Sequence, residues 1–238
     1  FPTHPVTAQQ LGQRLREAGY PGGYSILKEY VRQVRPPQHP AFLTLQFAPG
    51  QCAQVDWGAA GFLPVGTTRR RLSFFVMVLC YSRLMYVEFT LAQSQEHFLA
   101  CHQHAFEYLH SVPSEIMVDN CRTAVQSHPV GQPAVFNPRY LDFAQHYGFT
   151  IKACGPRRAN EKGRVESGVA YIKKNFLAGL QLASLDALNA AARQWLEQIA
   201  NVRVHGETHR MPRELFAEEQ PKLRPLTVLP YDLATLST

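Results

Sequence analysis

From Cys52 to Phe176 the chain repeats one arrangement: short apolar runs of strand length, alternating with stretches whose apolar residues recur every third or fourth position. Gln51 to Trp57, Leu72 to Cys80 (LSFFVMVLC) and Leu84 to Leu91 (LMYVEFTL) read as three consecutive strands, the last two parted by Tyr81, Ser82 and Arg83. Gln95 to His110 follows as a helix with Phe98, Cys101, Ala105 and Leu109 on its apolar stripe. Ile116 to Asp119 is a fourth strand, Asn137 to Tyr147 a second helix, Phe149 to Cys154 a fifth strand and Glu161 to Phe176 a third helix. A three-strand meander followed by helix, strand, helix, strand, helix predicts an α/β fold, a mixed five-stranded sheet with helices on both faces. In such sheets chemistry collects at strand ends.

The flanks follow other patterns. Thr7 can cap a helix through Ala18, with Leu11 and Leu15 at helical spacing; Gly19 to Gly23 breaks it, and Ser25 opens a second helix through Val34. Helix, glycine-containing turn, helix is a helix-turn-helix-like pattern. Lys28, Arg32 and Arg35 on the second helix suit DNA phosphates, and equally suit a solvated charged face. Pro36, Pro37 and Pro40 then stiffen a linker. The expected organisation is residues 1–48 as this segment and linker, 49–182 as the α/β core, and 183–238 as a C-terminal helical extension. In that extension Ser184 caps a helix from Leu185 to about Val202 with Leu188, Ala192, Trp195 and Ile199 inward, before a short Arg213 to Glu219 helix and a Pro-rich tail.

Composition narrows the classes. With 238 residues, 45% of them hydrophobic, the chain can bury one sizeable core. Twenty-four Lys and Arg against 18 Asp and Glu give net +6, and the pI near 9.2 suits a polyanionic partner. The five widely spaced cysteines predict reduced thiols and a cytosolic home. No apolar run approaches the ~20 residues of a membrane span, and the first 35 residues lack signal-peptide order. The lack of Met at position 1 leads us to expect further chain upstream.

Three carboxylates attract attention against that background. Asp56 ends a buried strand in QVDWG, where a charge is costly without a positive neighbour, although an Asx turn is the ordinary alternative. Asp119 ends the strand in SEIMVDN, and Glu166 lies in KGRVESGVAYIKKNF. At roughly 100° per residue, Val165, Val169, Ile172 and Phe176 make the buried stripe of the last helix, with Glu166 to one side. Lys162 and Lys173 share its sector, and Arg157, Arg158, Arg164 and Lys174 make this the most basic segment of the chain. A surface ion pair between Lys162 and Glu166 is the plain alternative.

A strand ending in Asp, a meander, a helix, a strand ending in Asp-Asn and a basic helix carrying Glu in G-x-V-E resemble the RNase H-like catalytic core of DDE transposases and retroviral integrases. Within that superfamily QVDWG, VDNCRTAV, KGRVESGVAYIKKNF and the late NVRVHGETHRMPREL are similar to IstA-type transposases of bacterial insertion sequences. The resemblance spans about residues 5–230. It implies a DNA transposase that cleaves element ends and transfers strands into target DNA, with Asp56, Asp119 and Glu166 as the catalytic triad. Two Mg²⁺ or Mn²⁺ ions would stabilise the entering and leaving oxygens, Asp56 bridging both, with Glu166 as the mobile ligand. Arg157, Arg158, Lys162 and Lys173 would hold DNA phosphates. It further implies double-stranded DNA and an oligomer of the chain on paired ends, an AAA+ ATPase helper, a bacterial cytosolic setting and a DNA-binding β domain after the tail. Two departures stand out: Glu161 offers a second acid five residues before Glu166, and Gly206 to Thr208 match loosely, which leaves the role of His205 open.

Rival readings are a catalytically silent DNA-binding scaffold and an RNase H-like nuclease that cuts without joining. Among other constellations, His97, Cys101 and His104 share one side of a helix, but Cys101 belongs to the apolar stripe and no Cys-x-x-Cys partner exists, so zinc is disfavoured against solvated histidines. No nucleophile elbow, Walker loop or dinucleotide glycine loop is present. Trp57 suits core packing better than base stacking.

Overall fold

The computed structural model describes residues 8–34, 46–119, 121–129, 131–155, 163–180 and 184–233. Residues 1–43 and 44–238 are separate compact units. In the first, α1 (Ala8–Glu17) and α2 (Tyr24–Val34) pack through Gly12, where a Cβ would stand 3.2 Å from Leu27. Leu27 is buried there. Gly19, at φ +84°, turns the chain between the helices.

The second unit is built on a five-stranded sheet. Its β1 (Cys52–Val65), β2 (Thr68–Leu79) and β3 (Met85–Thr90) form the antiparallel meander. After α3 (Gln95–Leu109) and the short β4 (Ser111–Val112), β5 (Glu115–Val118) pairs parallel with β1. A small hairpin of β6 (Val125–Ser127) and β7 (Val135–Phe136) leads into α4 (Pro138–Tyr147) and β8 (Thr150–Ala153), which pairs parallel with β5. The strand order is β3-β2-β1-β5-β8. Then come α5 (Gly163–Ile172), α6 (Leu185–Trp195), α7 (Pro212–Glu219) and β9 (Arg224–Pro225), the last pairing with β4. The expected α/β fold with a mixed five-stranded sheet is the one observed. Among the described residues no helix is long and apolar enough to cross a membrane.

Strand alternation sorts the core into two layers. Trp57 and Phe75 turn to α3, their rings 5.7 Å apart and each meeting Phe98. Asp56, Gln54 and Gly58 take the opposite face. There the ring of Phe74 lies across Gly58, so close that a Cβ would come within 2.0 Å of it. The glycine in QVDWG is thus required by packing. The edge strand β3 is capped by two asparagines acting as a surrogate strand. Asn189 receives the Phe89 N–H and donates to its carbonyl (2.7 and 3.0 Å), and Asn201 does the same at Met85 (3.0 and 2.9 Å).

Three differences from the sequence pattern have physical causes. β1 and β2 run beyond Trp57 and Leu72 into a long hairpin, because glycines 61 and 66 and Pro64 mark a bulge and a turn rather than an end. The helix predicted through Phe176 passes into a π turn at Lys173–Leu177, and the one predicted to about Val202 into another at Leu196–Ala200. The wider i to i+5 turn shifts the inward face, so Ile199 is 53% exposed and Leu196 and Ala200 are buried in its place.

His102 sits at the centre of the α3 layer, fully buried among Phe75, Phe98, Phe106, Tyr140 and Phe143. Its Nδ1–H donates to the Phe98 carbonyl at 2.7 Å, and Nε2 accepts from the Tyr140 hydroxyl at 3.1 Å. Burial lowers its pKa to about 3, against the opposing hydrogen bond to Phe98. The neutral ring therefore belongs to the folded state, and the unfolded chain binds the extra proton. Stability is complete above the unfolded pKa of ~6.5 and is lost progressively as pH falls toward 3. His102 alone should remove ~2 kcal/mol of stability between pH 7 and pH 5. Urea unfolding at the two pH values measures this, and His102→Gln should flatten the difference by about that amount.

Candidate active site

Asp56 and Asp119 are brought together by strand register. In the parallel pairing of β1 with β5, Val55 lies opposite Val118, so the next residue on each chain is an aspartate. Adjacent strands stand about 4.8 Å apart. One step back, Gln54 lies opposite Met117 and its amide reaches the Met117 sulfur at 3.7 Å. Alternation then puts both aspartates on that same face, beside each other. Asp56 lies inside β1, opposite Val76 of β2, and its Oδ1 accepts the N–H of the next residue, Trp57, at 2.8 Å; the Asx turn expected at a strand end is not formed there. Both are half-buried. The thiol of Cys121, just past Asp119, is pushed up by burial and further by the charges of Asp119 and Asp56. One side chain feels both carboxylates.

The helix α5 crosses the same face. Gly168 lets it approach the sheet, since a Cβ there would stand 3.1 Å from Val78 and 3.2 Å from Met85. Val165 and Ile172 are buried with Phe176, while Val169 is half-buried. The first turn is fastened by a side chain, because the Val165 N–H donates to Gln54 Oε1 at 3.1 Å. Gln54 is buried and stands two residues before Asp56 on its face. A helix start leaves amides without intrahelical partners, and this one is satisfied from the strand that carries Asp56.

Glu166 follows Val165 and is exposed. Among the described residues no group of three or more His, Cys, Asp or Glu side chains is arranged to hold a metal ion, so Glu166 is not gathered with the aspartate pair. Lys173 is exposed at the start of the π turn. In the first unit Lys28 and Arg32 are exposed on α2, Arg32 reaching Glu29 at 4.0 Å. Arg35, Arg157, Arg158, Glu161 and Lys162 lie outside the described residues.

Two supporting groups escaped the sequence reading. Arg83, buried and at φ 64°, makes a forked pair with Glu207 (2.9 and 3.3 Å), fixing the loop after α6 beside α5. Burial opposes ionisation of Glu207, and the hydrogen bond and charge of Arg83 outweigh it. Arg203 stacks on Tyr171 of α5 at 3.9 Å. His205 lines this cationic pocket with Arg83, Arg164 and Arg203, its pKa lowered by burial and by Arg203 and Arg83. Its place is therefore behind α5. The second group is Glu219, a buried carboxylate that accepts the N–H of Gly50 (3.0 Å) and of Ser82 (3.1 Å). The polar break Tyr81-Ser82-Arg83 was the available signal for both. The disfavoured zinc constellation separates: His97 bonds Ser94, Cys101 is buried, and His104 lies 3.0 Å from Glu88. Of the two histidines of that constellation, His97 is exposed as expected and His104 is partly exposed beside Glu88.

Residues 47–159 match the integrase core domain family. The chain belongs to the integrase superfamily. It is 36% identical over 231 residues to the IS5376 insertion-sequence protein of Geobacillus stearothermophilus, covering 97% of this chain and 57% of the relative. To the transposase of insertion sequence IS21 from Pseudomonas aeruginosa it is 34% identical over 221 residues, 92% of this chain and 56% of that one. The chain thus spans just over half the length of these relatives. In fold it is similar to the HTLV-2 integrase catalytic core domain solved with magnesium, with a TM-score of 0.50, 18% identity, and cover of 72% of this chain and 99% of that one. The kinship expected from QVDWG, VDNCRTAV and KGRVESGVAYIKKNF is thereby established.

Within this integrase core the Gln54 to Val165 contact is open to test. Gln54→Leu removes the acceptor and leaves a buried amide unmet, which costs ~1–3 kcal/mol. Urea unfolding should register that loss. Hydrogen exchange should accelerate at the Val165 amide and spare the amides of α3.

Proposed function

We propose that the chain carries the catalytic part of a DNA transposase, which cleaves phosphodiesters at element ends and transfers the strands into target DNA with a divalent metal. The observation that supports this most is the pairing of Asp56 and Asp119 on neighbouring parallel strands, on the face that α5 crosses. Two half-buried carboxylates side by side on neighbouring strands offer hard oxygen donors, the set that suits Mg²⁺ or Mn²⁺. The donor chemistry fits. Asp56 and Asp119 would hold the metal, and two bound ions would supply charge stabilisation to the entering and leaving oxygens of an in-line displacement.

Glu166 is the third ligand in this proposal. Three carboxylates crowded together repel one another, so the last to arrive is best carried on an element that can shift. Glu166 lies on the exposed side of α5, whose first turn is held by Gln54 and whose other side is held by Arg203 stacked on Tyr171. In this proposal, binding of metal and DNA draws Glu166 toward the aspartates. The basic residues Arg157, Arg158, Lys162 and Lys173 hold the DNA backbone, and the 1–48 segment adds a helix-turn-helix-like contact through Lys28 and Arg32. Oligomers of the chain on paired ends, an AAA+ helper and a bacterial cytosolic setting complete the reading, on the strength of the likeness to insertion-sequence transposases.

Cleavage and joining of labelled element-end duplexes in Mg²⁺ or Mn²⁺, using the full-length protein, test it. Asp56→Asn, Asp119→Asn and Glu166→Gln should each lower both steps by more than ~100-fold, beyond what loss of a contact supporting a metal ligand usually costs. DNA binding should persist in all three. Full cleavage in any of them removes that residue from the site, and cleavage without joining in the wild type would favour the nuclease reading.

A further inference from the structure

The β1–β2 hairpin continues well past Asp56. Beyond the bulge at Ala59/Gly61, Phe62 pairs with Arg71, Leu63 with Arg70 and Pro64 with Arg69, and the chain turns after Val65. Between Ala59 and Leu72 there are three arginines and no acidic residue.

The hairpin has two unlike faces. Leu63 and Leu72 are buried on one, where they meet Leu177 and Leu188. Arg70, opposite Leu63, belongs to that side. The other face carries Phe62, Arg69 and Arg71. Phe62 is 60% exposed, and the Arg69 guanidinium lies over its ring at 5.6 Å. All three arginines are exposed, and among the described residues none is paired with a carboxylate. An exposed aromatic lying under an arginine, on a hairpin with no carboxylate of its own, presents positive charge to something outside the chain.

We propose that Arg69 and Arg71, with Phe62 bracing Arg69, form a duplex-DNA clamp that grips backbone phosphates at a set distance from the proposed catalytic carboxylates. Charge complementarity selects the partner: guanidinium groups pair with phosphate by forked hydrogen bonds, and the hairpin has no carboxylate to compete. Strand geometry gives the distance. Phe62 and Pro64, the partners of Arg71 and Arg69, stand six and eight residues beyond Asp56, roughly 20–26 Å at about 3.3 Å per residue. At 3.4 Å of duplex per base pair, the gripped phosphates lie roughly six to eight base pairs from the reacting one. The position rests on Asp56 marking the active site; the grip itself does not.

The experiment has two arms. In the first, this chain binds a mixed-sequence 30-base-pair duplex across a salt titration, as wild type, R69Q/R71Q, R69K/R71K and R70Q. Each lost phosphate contact lowers the slope of log affinity against log salt by ~0.9. R69Q/R71Q should lose just under two units, so that its affinity falls about 12-fold less than wild type between 50 and 200 mM salt. R69K/R71K should keep the slope, and R70Q should lose under about half a unit. Thermal melting checks that each variant is folded. An unchanged slope in R69Q/R71Q overturns the clamp and leaves the arginines as solubilising charge; an equal loss in R70Q overturns the assignment of faces. In the second arm the full-length protein cleaves an element-end duplex with single methylphosphonates along it. Interference roughly six to eight base pairs from the cut, absent in R69Q/R71Q, is expected. Interference elsewhere with a normal first arm separates failure of the spacing, and so of Asp56 as its origin, from failure of the grip.

Discussion

The parallel register of β1 on β5 is the constraint on which everything else in this core depends. Because side chains alternate with a period of two, a slip of one residue would send Asp56 or Asp119 to the opposite face, among Trp57 and Phe75. Several features pin the register from outside the pair. The antiparallel hairpin fixes β1 from its other side, with Gly58 admitting Phe74 at a separation no other residue would allow. The Gly50 amide is fastened by buried Glu219, and the Glu115 amide by the Gln51 carbonyl at 2.9 Å. Strand starts and strand pairing are thus both held before the chain reaches the aspartates.

The helix carrying Glu166 is positioned by the same strand. Gln54 lies on β1 between the buried thiol of Cys52 and Asp56, and its carbamoyl oxygen receives the first turn of α5. A side chain one position away would face α3 and find no helix start to bind. Arg83, Arg203 and His205 build a cationic pocket on the far side of α5. Polar contacts therefore hold this helix at both sides, and small residues hold it close: Gly168 sits against Val76, Val78 and Met85. That combination lets a helix seat firmly on a sheet while its outward residues, Glu166 among them, remain in solvent.

Much of this was legible in the residues. Continuous apolar runs gave away the strands of the meander, and the 3.6-residue stripe through Val165, Ile172 and Phe176 marked the inner side of α5 because burial imposes that period. Asp56 and Asp119 were conspicuous as charges ending such runs. What stayed hidden was long-range or irregular. A hairpin containing two glycines and a proline resembles a loop, since only its partner strand reveals the pairing. The π turn after Trp195 moves Ile199 outward by inserting a residue into the turn, and periodicity has no means of anticipating that. Gln54 looked like one polar residue in a strand, and its partner lies 111 residues away. Arg83 and Glu207 are a pair of the same kind, 124 residues apart.

Two electrostatic environments lie close together in this unit. Negative charge is concentrated where Asp56 on β1 and Asp119 just past β5 stand side by side, enough to act on Cys121, and positive charge is displayed on the hairpin leading away from them. Such a division suits a polyanion that must be held along its length and cut at one point. The most direct measurement of the central claim is the anomalous scattering of Mn²⁺ in crystals of the chain with a short element-end duplex. The proposed site predicts density between Asp56 and Asp119 with Glu166 drawn in to complete the ligand set. Manganese bound elsewhere, or bound to the aspartates with Glu166 still in solvent, would contradict it.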